Sequence, residues 1–528
     1  MAIARCALKW LALPVLVAVM QAPQAAPGDA AAAARWTAGQ AIYRDGLLAS
    51  GAPLVGTGAA GVLRQGRDAS CAACHRRSGF GIAEGQVVVR PITAPDLFEG
   101  RVAQAATPRI AHQLGTRRRP AYNPATLAAA LRSGIDVSGH PMHSMMPRYA
   151  LGDADMAALQ TYLGSLYAAP DPGVNEQEIH LGTVIQPDVL PERRKAMLDV
   201  LRAFVRDKNA GVRSEVARRK GGAMRMHRAY RSWVLDVWEL AGAPDRWGAQ
   251  LEDYYRRQPV FALVSGIGDL GWQPIHDFSE RFQVPCILPL TSLPGKAASN
   301  FYTVYFSRGI ALEADALASH LGAAPGKVIQ VFRRDQPASL AAANALRAAL
   351  PGAGERLEDR ALSASLTGAQ WRMLASADAA LVLWLGERDL PAPAIERARP
   401  TWLSATLLDG APAPAGSQVG VTYPWELPEL RAPRLRRSTD WLRAKGLGGA
   451  QLPLQVNTHF AITMVGEALS HLMDSFSRDY FVETIEHDLA TTLMSSFYPP
   501  LTLGPDQRHA SKGVYLVHGA GRAELAVP

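Results

Sequence analysis

Apolar positions along the chain follow two regimes. Up to about residue 169 they recur at helical spacing in short segments separated by loops. Residues 38–48 predict a helix with Ile42 and Tyr43 on its apolar side. Residues 123–133 predict a second, with Pro124 at its start. Residues 151–167 predict a third, with Asp153 as its cap and Met156, Leu159, Leu163 and Leu166 one turn apart. A Pro/Gly-rich stretch, 170–177, follows as a linker. Beyond it, short apolar runs at 179–185, 232–238, 259–264, 285–290, 327–332, 379–385 and 401–407 read as strands. Amphipathic helices at 191–208 and 247–257 separate the first of these, and 457–496 is helical. Such alternation predicts parallel sheets covered on both faces, and about 350 residues is enough for two lobes. The expected fold class is multidomain: an all-α domain over 35–169, then a two-lobed α/β domain over 178–528.

Length agrees with this division, since 528 residues exceed what one core holds. The N-terminus sets the expected compartment. Arg5 and Lys9 precede an apolar run from Trp10 to Met20, and small residues fill Ala22 to Ala34. This is the order of a signal peptide, so residues 1–34 are expected to be a signal peptide and a disordered N-terminus, and the mature protein periplasmic. No later run is long and apolar enough to span a bilayer. The formal net charge of +8 includes those two leader cations, and the remaining arginines are scattered rather than gathered in an aromatic-laced stripe. That pattern speaks against nucleic acid and for solvated faces, with docking to an acidic redox partner or a membrane surface as the alternative.

The cysteines carry the first chemistry. Cys6 lies in the leader, and Cys286 lies in an apolar run that predicts a buried, inert thiol. Cys71-Ala-Ala-Cys74-His75 offers two thiols that can add across haem vinyl groups, and an imidazole adjacent to them for the iron. A zinc site would want a second ligand pair, and the chain has no other Cys-x-x-Cys. A redox dithiol would want a preceding strand, whereas 66–70 is loop-like. With 4 Cys and 13 His in 528 residues, chance placement yields the pattern roughly 0.0007 times per chain. One covalent haem c is the expected cofactor, with Cys71 and Cys74 as attachment points and His75 as proximal ligand.

The order helix, Cys-x-x-Cys-His, helix, Met145-Met146-Pro147-Arg148-Tyr149, helix resembles the class I cytochrome c family over about residues 36–169. In that family the methionine before proline ligates iron on the distal side, so the resemblance assigns Met146. Met142, Met145, His140 and His143 stand close by as competitors. Arg76 and Arg77 follow the motif as solvated side chains or propionate partners, and Pro91-Ile92-Thr93 is a candidate haem-edge contact.

The second half resembles the type I periplasmic solute-binding proteins, the branched-chain amino-acid group, over about residues 178–518. The likeness rests on Ile179-His-Leu-Gly-Thr183, Val260 to Gly268, Val284 to Ser292, Phe301 to Phe306, Phe497 to Arg508 and Gly513 to Val517. Open parallel sheets bind ligands outside the carboxyl ends of their strands. The cleft candidates are therefore Ser265, Gly266, Thr291 and Ser292, with Tyr305, Trp384 and Tyr423 as lining aromatics. In the family, hydroxyls and backbone N–H groups at the first four places hold the ligand's carboxylate. Helix caps and core aromatics are the competing readings. No carboxylate is assigned to receive an ammonium group. His471, Asp474, Glu483 and His487 read as an exposed helix face rather than a metal site.

Three functions remain in view. The first is an electron-transfer cytochrome whose second module recruits a small ligand or a redox partner such as a dehydrogenase or another cytochrome. The second is a binding protein for uptake or sensing, with the haem as redox reporter. The third, a haem enzyme, needs an open distal position, which Met146 ligation would close. No nucleophile–base set stands out, so no catalytic residue is assigned.

Overall fold

The computed structural model describes residues 27–527, except 85–86, 100–118, 220–230, 297–300, 324, 391–394, 474, 505–506 and 520–521. Most of the expected signal peptide therefore lies outside the described residues. The chain forms two compact units, one drawn from Met1–Ala73 and Pro120–Leu166, the other from Cys74–Arg119 and Tyr167–Pro528.

The smaller unit is built on three helices, Pro27–Asp45, Pro124–Ser133 and Asp153–Ser165. The first begins before the expected residue 38, and residues 27–34 are helix rather than disordered chain. The alanine run Ala30 to Ala34 explains this, because alanine is the strongest helix former. It packs tightly on the third helix at Gly39, where a Cβ would sit 2.1 Å from Ala158 O. The rings of Trp36 and Tyr43 close on Tyr162 at 5.4 and 5.1 Å. Asn123 caps the second helix in a reciprocal box with Thr126. Asp153 does not cap the third: Gly152 is the N-cap, and the Asp153 carboxylate takes Arg132 at 2.8 Å. This unit is not helix alone, since strands Leu63–Gln65, Val55–Thr57 and Arg148–Tyr149 form an antiparallel sheet in that order.

The larger unit contains two α/β lobes. In the first, five parallel strands run in the order Thr303–Val304, Cys286–Ile287, Ala262–Val264, Glu178–Ile185, Ser232–Glu239. Helices Leu452–Leu472 and Arg478–Thr491 and the described start of Pro191–Arg219 cover one face; Trp247–Arg257 and Gln273–Phe282 cover the other. In the second, Leu357–Leu362, Val328–Arg333, Ala380–Trp384, Thr401–Ser404 and Val419–Tyr423 are parallel, and Val514–His518 and Ala523–Ala526 extend the sheet antiparallel. The chain passes between lobes three times. Two of these crossings bond to each other through Tyr305 N to Arg508 O (2.8 Å) and Ser511 N to Phe306 O (2.7 Å).

The stretch 170–177 is docked rather than loose. Asp171 Oδ2 accepts Arg478 N at 2.7 Å, and Pro172 O accepts the Arg478 guanidinium at 3.0 Å. That guanidinium is buried and also reaches the carbonyls of Phe261 (3.0 Å) and Val260 (2.7 Å) and the hydroxyl of Tyr255 (3.1 Å). Its removal strands several buried carbonyls at once. Arg478→Met should lower the unfolding free energy by about 3 kcal/mol or more, read from denaturant titration of the whole chain.

Candidate functional site

The Cys-x-x-Cys-His stretch leaves a 3-10 turn, Gly66–Ala69, and forms one helical turn, Ala72–His75. Cys71 is buried and Cys74 is half-buried. The His75 ring is buried, with Nδ1 2.8 Å from the carbonyl oxygen of Arg90. A carbonyl only accepts, so Nδ1 carries the proton and Nε2 keeps its lone pair. Burial outweighs this bond and pushes the imidazole down to about 4, so the ring is neutral near pH 7. A neutral imidazole with Nδ1–H tied to a carbonyl is the form that ligates a metal, so these residues fit a haem iron.

The turn after His75 departs from the reading of solvated arginines. Arg77 lies 3.3 Å from Asp479 and covers the Phe301 ring at 4.1 Å. Ile92 donates its N–H to Gly79 O at 2.8 Å, which ties the Pro91-Ile92-Thr93 stretch to that turn.

In the smaller unit, Met146 is half-buried in a turn closed by its own N–H to His143 O at 3.0 Å. Arg148 donates to the carbonyls of Met146 and Met142, crossing over Gly134, where a Cβ would lie 1.8 Å from Arg148 Nε. Tyr149 OH donates to Ala69 O at 3.0 Å, two residues before Cys71. Of the competitors, Met145, His140 and His143 are exposed, and Met142 is half-buried.

The cleft candidates scatter. Ser265 and Gly266 directly follow the strand Ala262–Val264. Both take positive φ (54° and 97°), and isolated bridges to Ile185 and Leu290 form at Ile267. A Cβ on Gly266 would lie 2.9 Å from the Trp272 ring. Ser265 Oγ is buried and without a hydrogen-bond partner. Thr291 Oγ1 accepts Leu293 N at 3.1 Å as a local turn. Ser292 donates both N–H (3.0 Å) and Oγ–H (2.8 Å) to Asp269 Oδ1. Tyr305 is core, its hydroxyl 3.0 Å from His276 Nδ1 and its ring stacked on His509. Trp384 is fully buried and donates to Gln330 Oε1 at 3.1 Å. Tyr423 is half-buried and accepts Arg431 at 3.1 Å.

Two acidic residues missed by sequence reasoning take such hydroxyls instead, Asp269 in the loop after Ile267 and Glu313 in the first turn of the helix Ile310–Gly322. Asp269 holds Ser292 as described. Glu313 is buried and accepts hydroxyls from Ser404 (2.7 Å), Thr422 (2.6 Å) and Thr406, and burial pushes its carboxyl up to about 7. Glu483, expected on an exposed face, is buried as well. The usable signal was its neighbours: Tyr480, Phe481, Val482, Thr484 and Ile485 are apolar or small around the whole helix, which marks burial. His471 pairs with Asp488 at 3.3 Å, and Asp474 lies outside the described residues. Among the described residues no cluster of three His, Cys, Asp or Glu side chains could hold a metal ion. Cys286 is buried, which pushes its thiol up to about 12.

Residues 65–167 match the family model for cytochrome c. That match implies covalently bound haem c, and it spans the Cys-x-x-Cys-His motif and Met146. No curated protein matches the chain. Solved structures similar to it include a putative branched-chain amino acid ABC transporter from Rhodospirillum rubrum (12% identity, 66% of this chain and 100% of that one, TM-score 0.45). The substrate-binding protein LivJ from Streptococcus pneumoniae, in complex with isoleucine, is 10% identical over 67% of this chain and 100% of its own, TM-score 0.46. The leucine-binding protein LivK from Thermotoga maritima is 13% identical over 66% and 97%, TM-score 0.44. The two-lobed architecture beside the cytochrome c segment stands on the strand orders given above.

The buried acids make stability fall with pH. Glu313 and Glu483 both titrate near 7 when folded, above the 4.5 of an unconstrained glutamate. Their contribution is complete below about pH 4.5 and is lost as pH rises through 7. Glu313→Gln should flatten part of this decline, and Glu483 should retain the rest. Denaturant midpoints at pH 5 and pH 8 check this.

Proposed function

We propose that the chain is an exported mono-haem electron carrier with His75 and Met146 as axial ligands and a two-lobed module that recruits a small ligand or a redox partner. The observation that carries it is the His75 ring, buried, neutral and oriented by Arg90, within the cytochrome c match. Bound haem supplies a one-electron couple, and a thioether ligand raises its potential. Arg90 fixes the imidazole tautomer, and Arg148 and Tyr149 fix the loop of Met146. The leader-like segment 1–34 supports export to the periplasm. Among the described residues no helix is long and apolar enough to cross a membrane.

For the second module, the Ser292 N–H and hydroxyl that a carboxylate ligand would use are spent on Asp269. This favours recruiting a ligand other than a simple carboxylate, or a redox partner protein, over amino-acid uptake.

The test is absorption spectroscopy of the protein matured with haem. A low-spin c-type spectrum with the near-infrared Met–Fe(III) band is expected, the band vanishing in Met146→Ala and the low-spin form vanishing in His75→Ala. A high-spin spectrum in the native chain that responds to peroxide would replace this reading with a catalytic or gas-sensing one.

A further inference from the structure

The turn that follows the haem histidine is held by a helix of the two-lobed body. Ser78 donates its N–H to Glu483 Oε1 at 2.9 Å and its hydroxyl to Oε2 at 2.6 Å. Both carboxyl oxygens are thus spent on one residue, three positions after His75. Ser78 Oγ in turn accepts Phe80 N at 3.2 Å, and the Phe80 ring stacks on Tyr480 at 4.6 Å. Arg77 reaches Asp479 at 3.3 Å, one helical turn from Glu483.

This turn needs such support. Arg76, Gly79 and Gly81 all take positive φ, at 65°, 79° and 71°. A non-glycine residue there carries on the order of 1 kcal/mol of strain, which persists only where the surroundings impose it. The turn also governs the histidine directly. Gly81 N donates to His75 O at 3.0 Å, and a Cβ on Gly81 would meet Val89 O at 2.1 Å, next to Arg90. The position of the Arg90 carbonyl, and so the direction of the His75 ring, follows from the packing of this turn.

Glu483 is an expensive residue for the body that contains it. Among the described residues its hydrogen bonds all go to Ser78, and burial pushes its carboxyl up to about 7 despite them. An apolar side chain would fill the same interior without desolvating a carboxylate. We infer that Glu483 is a positioning residue for the proximal haem ligand: it fixes Ser78, and through the turn it fixes the bond between His75 and the Arg90 carbonyl. This rests on the reading of His75 as the iron's proximal ligand.

The experiment compares Glu483→Ala with Glu483→Gln in the full-length haem protein. Both remove the charge. Glutamine keeps an oxygen for Ser78 N–H and an amide for its hydroxyl, and alanine keeps neither. The first readout is the reduction potential. A loosened Nδ1–H···O bond makes the imidazole a poorer donor, so alanine should raise the potential beyond the glutamine variant. The second is the iron–histidine stretch in resonance Raman of the ferrous protein in a Met146→Ala background. Alanine should lower and broaden that band, and glutamine should restore it. Ser78→Ala should move both readouts the same way by less, and it carries the test where Glu483→Ala does not fold. Equal potentials for the two Glu483 variants, or an unmoved potential in Ser78→Ala, would overturn the inference while leaving His75 ligation intact. A low-spin spectrum that survives His75→Ala would instead overturn the ligation reading, and the inference with it.

Discussion

The guanidinium of Arg478, buried among carbonyl oxygens, joins three parts of the larger unit that are far apart in sequence: the 170–177 segment, the approach to strand Ala262–Val264, and the helix it begins. A buried cation is tolerated when its donors find acceptors, and the fork of an arginine spreads five N–H groups over several carbonyls at once. Once that end of the helix is fixed, Asp479, Tyr480 and Glu483 point where the helix geometry sends them. The haem turn is then positioned by a rigid element rather than by its own weak preferences.

The same economy governs hydroxyls elsewhere in the larger unit. They serve the chain's own carboxylates, Ser292 to Asp269 and the Ser404, Thr406 and Thr422 set to Glu313. Satisfying an internal carboxylate removes the donors from competition, because each hydroxyl has a single proton to give.

Local signals suffice where the chain settles matters with its neighbours. Asn123 and Pro124 open a helix as their types predict, and amphipathic spacing alone bounds the helix at Trp247–Arg257. The apolar run at 179–185 was a strand one residue longer. What stayed hidden depends on distant partners or rare dihedrals. Nothing in Ser265 announces the positive φ it takes just after the strand Ala262–Val264. Trp384 sits at a strand end in sequence, yet a glutamine 54 residues earlier takes its N–H and draws it into the core. Glu483 resembled any surface glutamate until its partner, 405 residues away, came into view. The haem motif itself was legible because its chemistry is compressed into five adjacent residues.

The separation between Ser78 and Glu483 has a consequence in time. Synthesis proceeds at about 5–20 residues per second, so growing the intervening 405 residues takes on the order of 20–80 s. Throughout that interval the turn from Arg76 to Gly81 lacks the carboxylate that holds Ser78. The turn beside the haem histidine is therefore among the last parts of the chain to acquire its native partner.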